Sequence, residues 1–241
     1  MKIAFFSDIH ANLPALEAFF RDIEKVQPDA LYCLGDLVGY NVWANEVVEE
    51  IRKRNIVTIM GNHDEALLFP PGNNDKPNRR ITQEIVSTEN REYLISLPRQ
   101  LRLSFGTGDE TFNLLLVHGS PQAINDYLVE DYPEDDILNQ MESQLAHVVL
   151  CGHTHIPYHR VLQAGKENKH VINIGAVGKP KDGDPRVCYA VMTFDENLSR
   201  HDQNTLEVGF RRVDYDLERA VQAIKESDFP NEFADNLIQA K

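Results

Sequence analysis

Five short apolar runs punctuate the chain: Ile3-Ala4-Phe5-Phe6, Leu31-Tyr32-Cys33-Leu34, Ile56-Val57-Thr58-Ile59, Leu114-Leu115-Leu116-Val117 and Val148-Val149-Leu150-Cys151. Short apolar runs bounded by turn residues read as buried strands. Helical patterning falls between the first three, near 14–26 and 43–54, with Pro14 suited to a first helical turn and Asn12 or Leu13 in the cap region. Strands 2–6, 30–34 and 56–60 then form a βαβαβ series, which implies a parallel sheet. Phe69-Pro70-Pro71-Gly72-Asn73-Asn74-Asp75 reads as a loop, and a helix near 81–97 stops at Pro98. Further strands are expected at 101–105, 112–117, 147–151, 158–163, 170–174, 187–194 and 205–214, with helices near 134–145 and 216–226. This order predicts an α/β fold of two packed sheets with helices outside. No repeat or linker divides the sequence. One domain over residues 1–241 is expected, with a helical and loop insertion at about 65–100 near the site and a polar tail after Asp228 that frays.

Each apolar run is followed by a polar block. In order these are Asp8-Ile9-His10, Gly35-Asp36, Gly61-Asn62-His63-Asp64, His118-Gly119 and Gly152-His153-Thr154-His155. Residues just past the C-terminal ends of strands in an open α/β sheet gather in one crevice. Imidazoles, carboxylates and a carboxamide far apart in sequence should therefore meet, as a metal site with two ions. Two ions about 3.5–4 Å apart suit phosphate-ester hydrolysis, because a bridging hydroxide and clamped phosphoryl oxygens address both the poor nucleophile and the charged leaving group. Asp36 is placed to bridge. Asp8 and His10 can reach one ion together, His153 and His155 can serve different ions, and Asn62 and His118 add an oxygen and a nitrogen. Mixed nitrogen and oxygen donors without thiolate suit Mn, Fe, Zn, Ni or Co, with Mn the expected metal. Taken singly, a strand-end Asp or His is more often a cap or surface group; the ordered set carries the inference.

Composition narrows the function class. The formal net charge of −14 argues against broad nucleic-acid binding, which needs Lys and Arg to neutralise phosphates. A small phosphorylated substrate remains compatible, since bound ions would dominate the local field. Cys33, Cys151 and Cys188 lie in expected strands and read as buried thiols. No apolar stretch reaches membrane-span length and the N-terminus lacks signal-peptide architecture, so a cytoplasmic enzyme is expected.

The five blocks in this order resemble the calcineurin-like metallophosphoesterases. Ser7-Asp8-Ile9-His10-Ala11-Asn12, Gly35-Asp36-Leu37-Val38-Gly39-Tyr40 and Asn173-Ile174-Gly175-Ala176-Val177-Gly178 resemble the small bacterial and archaeal phosphodiesterases within them. The resemblance spans roughly residues 2–195. It implies a four-layer αββα sandwich of two mixed sheets flanked by helices. It also implies one ion on Asp8, His10, Asp36 and His155 and a second on Asp36, Asn62, His118 and His153. His63 would face the substrate and protonate the leaving oxygen. Departures also matter. Where protein phosphatases of this superfamily carry a His-orienting Asp and a phosphate-clamping Arg, this chain has Gly39 and Tyr40. Candidates for the missing clamp are Lys179, Lys181 and Arg186; Asn12 reads equally as a helix cap or a pocket amide, and Tyr40 and Trp43 as core residues or an aromatic wall. Asp64 reads as a helix-start or supporting residue. The expected activity is hydrolysis of phosphodiesters or small phosphorylated metabolites. Diadenosine polyphosphate hydrolysis, protein dephosphorylation and a non-catalytic scaffold are the alternatives, and the oligomeric state is left open.

Overall fold

Strand alternation sorts side chains to two faces, and both faces are buried here. In β1 (Lys2–Phe6), Ile3 and Phe5 enter one apolar cluster while Ala4 and Phe6 enter another. In β5 (Phe112–Val117), Leu114 and Leu116 join Ile3 and Phe5, whereas Leu115 and Val117 face the opposite way. Ile3, Phe5, Leu114 and Leu116 thus lie in the layer shared by two stacked sheets. The computed structural model describes every residue except 71, 73–75, 107–110, 195–198, 200, 203 and 204.

The first sheet contains β1, β2 (Ala30–Cys33), β3 (Val57–Thr58), β9 (Val187–Phe194) and β10 (Leu206–Val213) in the order β10-β9-β1-β2-β3. β1, β2 and β3 are parallel, as the βαβαβ series predicts, and β9 and β10 are antiparallel additions. The second sheet contains β4 (Gln100–Phe105), β5, β6 (Val148–Cys151), β7 (Tyr158–Ala164) and β8 (Glu167–Asn173) in the order β4-β5-β6-β8-β7, with β5, β6 and β8 parallel. α1 (Leu13–Val26), α2 (Ala44–Lys53) and α5 (Thr88–Ser96) cover the outer face of the first sheet. α6 (Glu134–Ser143) covers the second, which completes the expected four layers. Cys33, Cys151 and Cys188 are buried free thiols.

Three elements differ from the sequence expectation. The helix expected at 81–97 is two helices, α4 (Pro77–Ile85) and α5, because Val86 turns extended and Ser87 Oγ caps α5 at Asn90 N, 3.3 Å away. β3 is shorter than 56–60, since the Met60 amide leaves the ladder for the Pro98 carbonyl. The tail expected to fray forms α8 (Glu232–Gln239) against α7 (Leu217–Lys225), with Phe229, Ala234 and Leu237 buried beside Ile224 and Ile81. Its apolar residues recur at helical spacing, and that stripe outweighs the polar composition. Phe69, Pro70 and Gly72 stand outside regular elements, while 71 and 73–75 of that loop lie outside the described residues. Among the described residues no helix is long and apolar enough to cross a membrane.

Candidate metal centre

The polar blocks follow the C-terminal ends of β1, β2, β3, β5 and β6, and the backbone turns sharply there. Asp8, His10, Ala11, Asp36, Tyr40, His153 and His155 all have positive φ, from 49° to 66°. Among the described residues only four other non-glycine residues share this conformation, so backbone strain is concentrated at this edge. Hydrogen bonds hold the strained turns. Asp8 N and His10 N donate to the Gly35 and Asp36 carbonyls, both at 3.0 Å, and His153 N donates to Asp8 Oδ2 at 3.1 Å across the sheets. Gly61 is required where the third turn touches the second, because a Cβ there would lie 2.1 Å from Asp36 Oδ1. Asp64, in the short helix α3 (Asn62–Glu65), joins the same two turns. Its carboxylate accepts from Asp36 N, Leu37 N and Gly61 N at 2.8, 3.0 and 3.0 Å, the supporting role read from the sequence.

Six expected ligands converge in one buried volume. His155 Nε2 lies 3.1 Å from Asp8 Oδ1 and 3.2 Å from His10 Nε2. His10 Nε2 lies 3.6 Å from both Asp8 Oδ1 and Asp36 Oδ2. His118 Nε2 lies 3.3 Å from Asp36 Oδ2 and 3.1 Å from Asn62 Oδ1. His153 is the seventh, and it groups with Asp36 and His118 as Asp8 groups with His10 and His155. A third group, His10, Asp36 and His63, shows that His63 is also within ligand reach.

These residues fit divalent ions on their own chemistry. His10, His118 and His155 each turn Nδ1 toward a backbone carbonyl, of Val38, Leu34 and Lys179. A carbonyl only accepts, so Nδ1 carries a proton and Nε2 is the nitrogen turned inward, able to offer a lone pair once it is unprotonated. Lone pairs on His10 and His155 facing each other at 3.2 Å repel unless a cation lies near both. Asp8 Oδ1, Asp36 Oδ2 and His153 Nε2 are buried without a hydrogen-bond partner, the pattern expected of atoms aimed at a metal. The electrostatics agree. Burial raises the Asp8 and Asp36 carboxyls, but the surrounding imidazoles outweigh it and hold both below the usual range. Burial disfavours charge on His118, yet Asp36 and Asp8 push it up to about 10, so without an ion this ring also holds a proton on Nε2, which a bound cation would displace. Burial drives His155 down to about 4 and His63 to about 3. Two ionised carboxylates thus create a strong local demand for positive charge.

A cavity of about 690 Å³ opens onto this centre. His63, Tyr40, Asn62 and His153 line it, with Lys181, Tyr127 and Phe233. The Tyr40 ring packs edge-on against His10 at 4.9 Å and against Phe233 at 5.2 Å. Three expected substrate contacts lie elsewhere. Asn12 caps α1 through Ala15 N, and its amide nitrogen donates to the Gly178 carbonyl and to Tyr215 Oη. Lys179 is buried away from the cavity, with Nζ on the Lys241 carbonyl at 2.8 Å and over the Tyr40 ring. Arg186 is exposed and held by Asp184, two residues earlier. Trp43 packs in the α7–α8 core under Arg219. Of the three clamp candidates, only Lys181 reaches the cavity, where Asp8 and Asp36 partly offset the burial that lowers its pKa. Sequence reading missed Asn78, Tyr127 and Phe233. The first two carry no motif, whereas Phe233 sits in a helical apolar stripe that the sequence does display.

The family profile of the calcineurin-like phosphoesterase superfamily domain matches residues 1–197. An uncharacterized protein of Methanocaldococcus jannaschii is 32% identical over 255 aligned positions, covering 98% of this chain and 97% of that protein. The crystal structure of a metallophosphoesterase from Sphaerobacter thermophilus superimposes with a TM-score of 0.77 at 30% identity, over 100% of both chains. A hypothetical protein of Pyrococcus horikoshii shares the fold, with a TM-score of 0.79 at 23% identity, over 100% of this chain and 98% of that one.

Proposed function

The chain belongs to the calcineurin-like phosphoesterase superfamily and is a metal-dependent phosphoesterase, and we propose that it uses two divalent ions to hydrolyse phosphodiesters or small phosphorylated metabolites. Asp8, His10, Asp36 and His155 would hold one ion, and Asp36, Asn62, His118 and His153 the other. Manganese is the proposed metal. Bound there, such ions supply Lewis acidity, which activates water and neutralises charge on phosphoryl oxygens. The protein's own residues supply the rest. The Nδ1–H bonds of His10, His118 and His155 orient the donors, and Asp64 fixes the Asp36 turn. Lys181 is placed to draw the phosphate into the cavity, and His63 to donate toward the leaving oxygen. The observation that carries this is the convergence of unpartnered Asp8 Oδ1, Asp36 Oδ2 and His153 Nε2 with three imidazole Nε2 atoms turned inward.

The test is hydrolysis of bis-p-nitrophenyl phosphate, p-nitrophenyl phosphate and a dinucleoside polyphosphate, with manganese and with chelator. Chelator-sensitive turnover favouring the diester is expected. Loss of all three activities in the manganese-loaded protein, or turnover indifferent to chelator, overturns the proposal.

A further inference from the structure

The imidazoles at this centre sort by what their Nδ1 atoms face. For His10, His118 and His155 it is a backbone carbonyl, which leaves Nε2 free to ligate. For His63 it is the carboxamide of Asn78, with Nδ2 at 3.4 Å from Nδ1. The two ends of that carboxamide are told apart by a second contact. Its other terminus lies 2.7 Å from Tyr40 N, and a backbone N–H only donates. The atom on Tyr40 must therefore be Oδ1, and the one facing His63 must be the NH2 group. An NH2 group donates, so His63 Nδ1 accepts, and the ring proton of neutral His63 sits on Nε2.

Asn78 is well held for this purpose. It lies in the first turn of α4 directly after Pro77, is 8% exposed, and its carbonyl accepts from Thr82 Oγ1 at 2.7 Å. Gly39 packs against the same nitrogen, where a Cβ would come within 2.8 Å of His63 Nδ1 and 3.6 Å of Asn78 Nδ2. Gly39 stands where protein phosphatases of this superfamily carry a His-orienting carboxylate. The partner of His63 is thus supplied by a different element, and it is a donor instead of an acceptor.

We propose that Asn78 is a positioning residue that fixes His63 as the Nε2–H tautomer, keeps this imidazole off the metals despite its ligand-range distance, and turns a hydrogen-bond donor toward the phosphoryl group. The donor role rests on the phosphoesterase proposal above; the tautomer does not. An Nε2 that carries a proton has no lone pair for an ion, which separates His63 from its neighbours at the same centre.

The test is the ring-nitrogen pattern of zinc-loaded, 15N-histidine-labelled protein in long-range proton–nitrogen NMR spectra, with His63 assigned from a His63→Gln spectrum. His63 is expected to show a protonated Nε2 and an unprotonated Nδ1, the reverse protonation of Nδ1 seen in His10, His118 and His155. Asn78→Asp keeps an oxygen for Tyr40 N but places an acceptor opposite Nδ1, so His63 should become protonated at Nδ1. The kcat should fall roughly 10–100-fold, the usual cost of losing a supporting partner. A native His63 protonated at Nδ1 overturns the proposal, and that spectrum decides even if the variant fails to fold. An unchanged nitrogen pattern in Asn78→Asp, or a reversed pattern with full activity, overturns it as well. Failure of the phosphoesterase proposal looks different, because turnover is then absent in native protein while the nitrogen pattern stands.

Discussion

At the scale of single residues, identity matters less than which atom a neighbour leaves available. His63 and His118 are both imidazoles within reach of Asp36, yet a carbonyl faces Nδ1 of one and an amide NH2 group faces Nδ1 of the other. Replacement should separate them. His118→Ala removes an inward lone pair and leaves Asp36 Oδ2 and Asn62 Oδ1 short of a shared ion, so metal analysis should fall from two ions per chain toward one. His63→Ala should retain both ions while kcat drops by roughly 10²–10⁴-fold, as for loss of a positioned acid, most with poor leaving groups. Equal metal loss in the two variants would show that both are ligands and that the division of roles is wrong. The substrate-side residues follow the same logic of prior engagement. Arg186 is claimed by Asp184 and Lys179 by the Lys241 carbonyl, which leaves Lys181 facing the cavity.

At the scale of elements, α8 and the residue that caps it have three jobs that a frayed tail could not perform. The helix buries Leu237 and Ala234 against α7, and it presents Phe233 to Tyr40 at the cavity wall. Its C-cap residue Ala240 ties down the 178–186 segment, since Gly183 N donates to the Ala240 carbonyl. Phe233→Ala should therefore raise KM for an aryl diester several-fold with metal content unchanged. Leu237→Ala should instead cost about 2–5 kcal/mol of stability, as buried leucine truncations do, with KM near native. If both variants lose only stability, α8 is a brace and not a wall. The strands and the ligand blocks were legible because short continuous apolar runs and strand-end polar residues are local signals. The break between α4 and α5 was legible in principle from Ser87, a good N-cap three residues before Asn90. Asn78 was not, because its meaning depends on Tyr40 N and His63 Nδ1 arriving from two other turns.

At the scale of the molecule, the centre is where the two sheets are joined, and this couples metal binding to folding. The His118 ring from the second sheet donates to Leu34 O after β2, and His153 N donates to Asp8 Oδ2 after β1. Asp8 and Asp36 are fully buried carboxylates whose inward oxygens lack hydrogen-bond partners, in a protein already carrying a net charge of −14. Ionised carboxylates packed this closely repel until a cation lies between them. An ion that binds only the folded chain adds RT ln(1 + [L]/Kd), about 2.7 kcal/mol when its concentration is 100 times Kd. For a chain of this size, each kcal/mol moves the melting midpoint by roughly 2–4 °C. Manganese should therefore raise the midpoint by roughly 5–10 °C over chelator-treated protein, and the rise should grow with the logarithm of metal concentration. Asp36→Asn should melt at nearly the same temperature with and without metal, because both proposed ions lose the ligand they share. A native midpoint that ignores metal, or an Asp36→Asn variant that responds as native does, would dissociate this centre from the joint between the sheets.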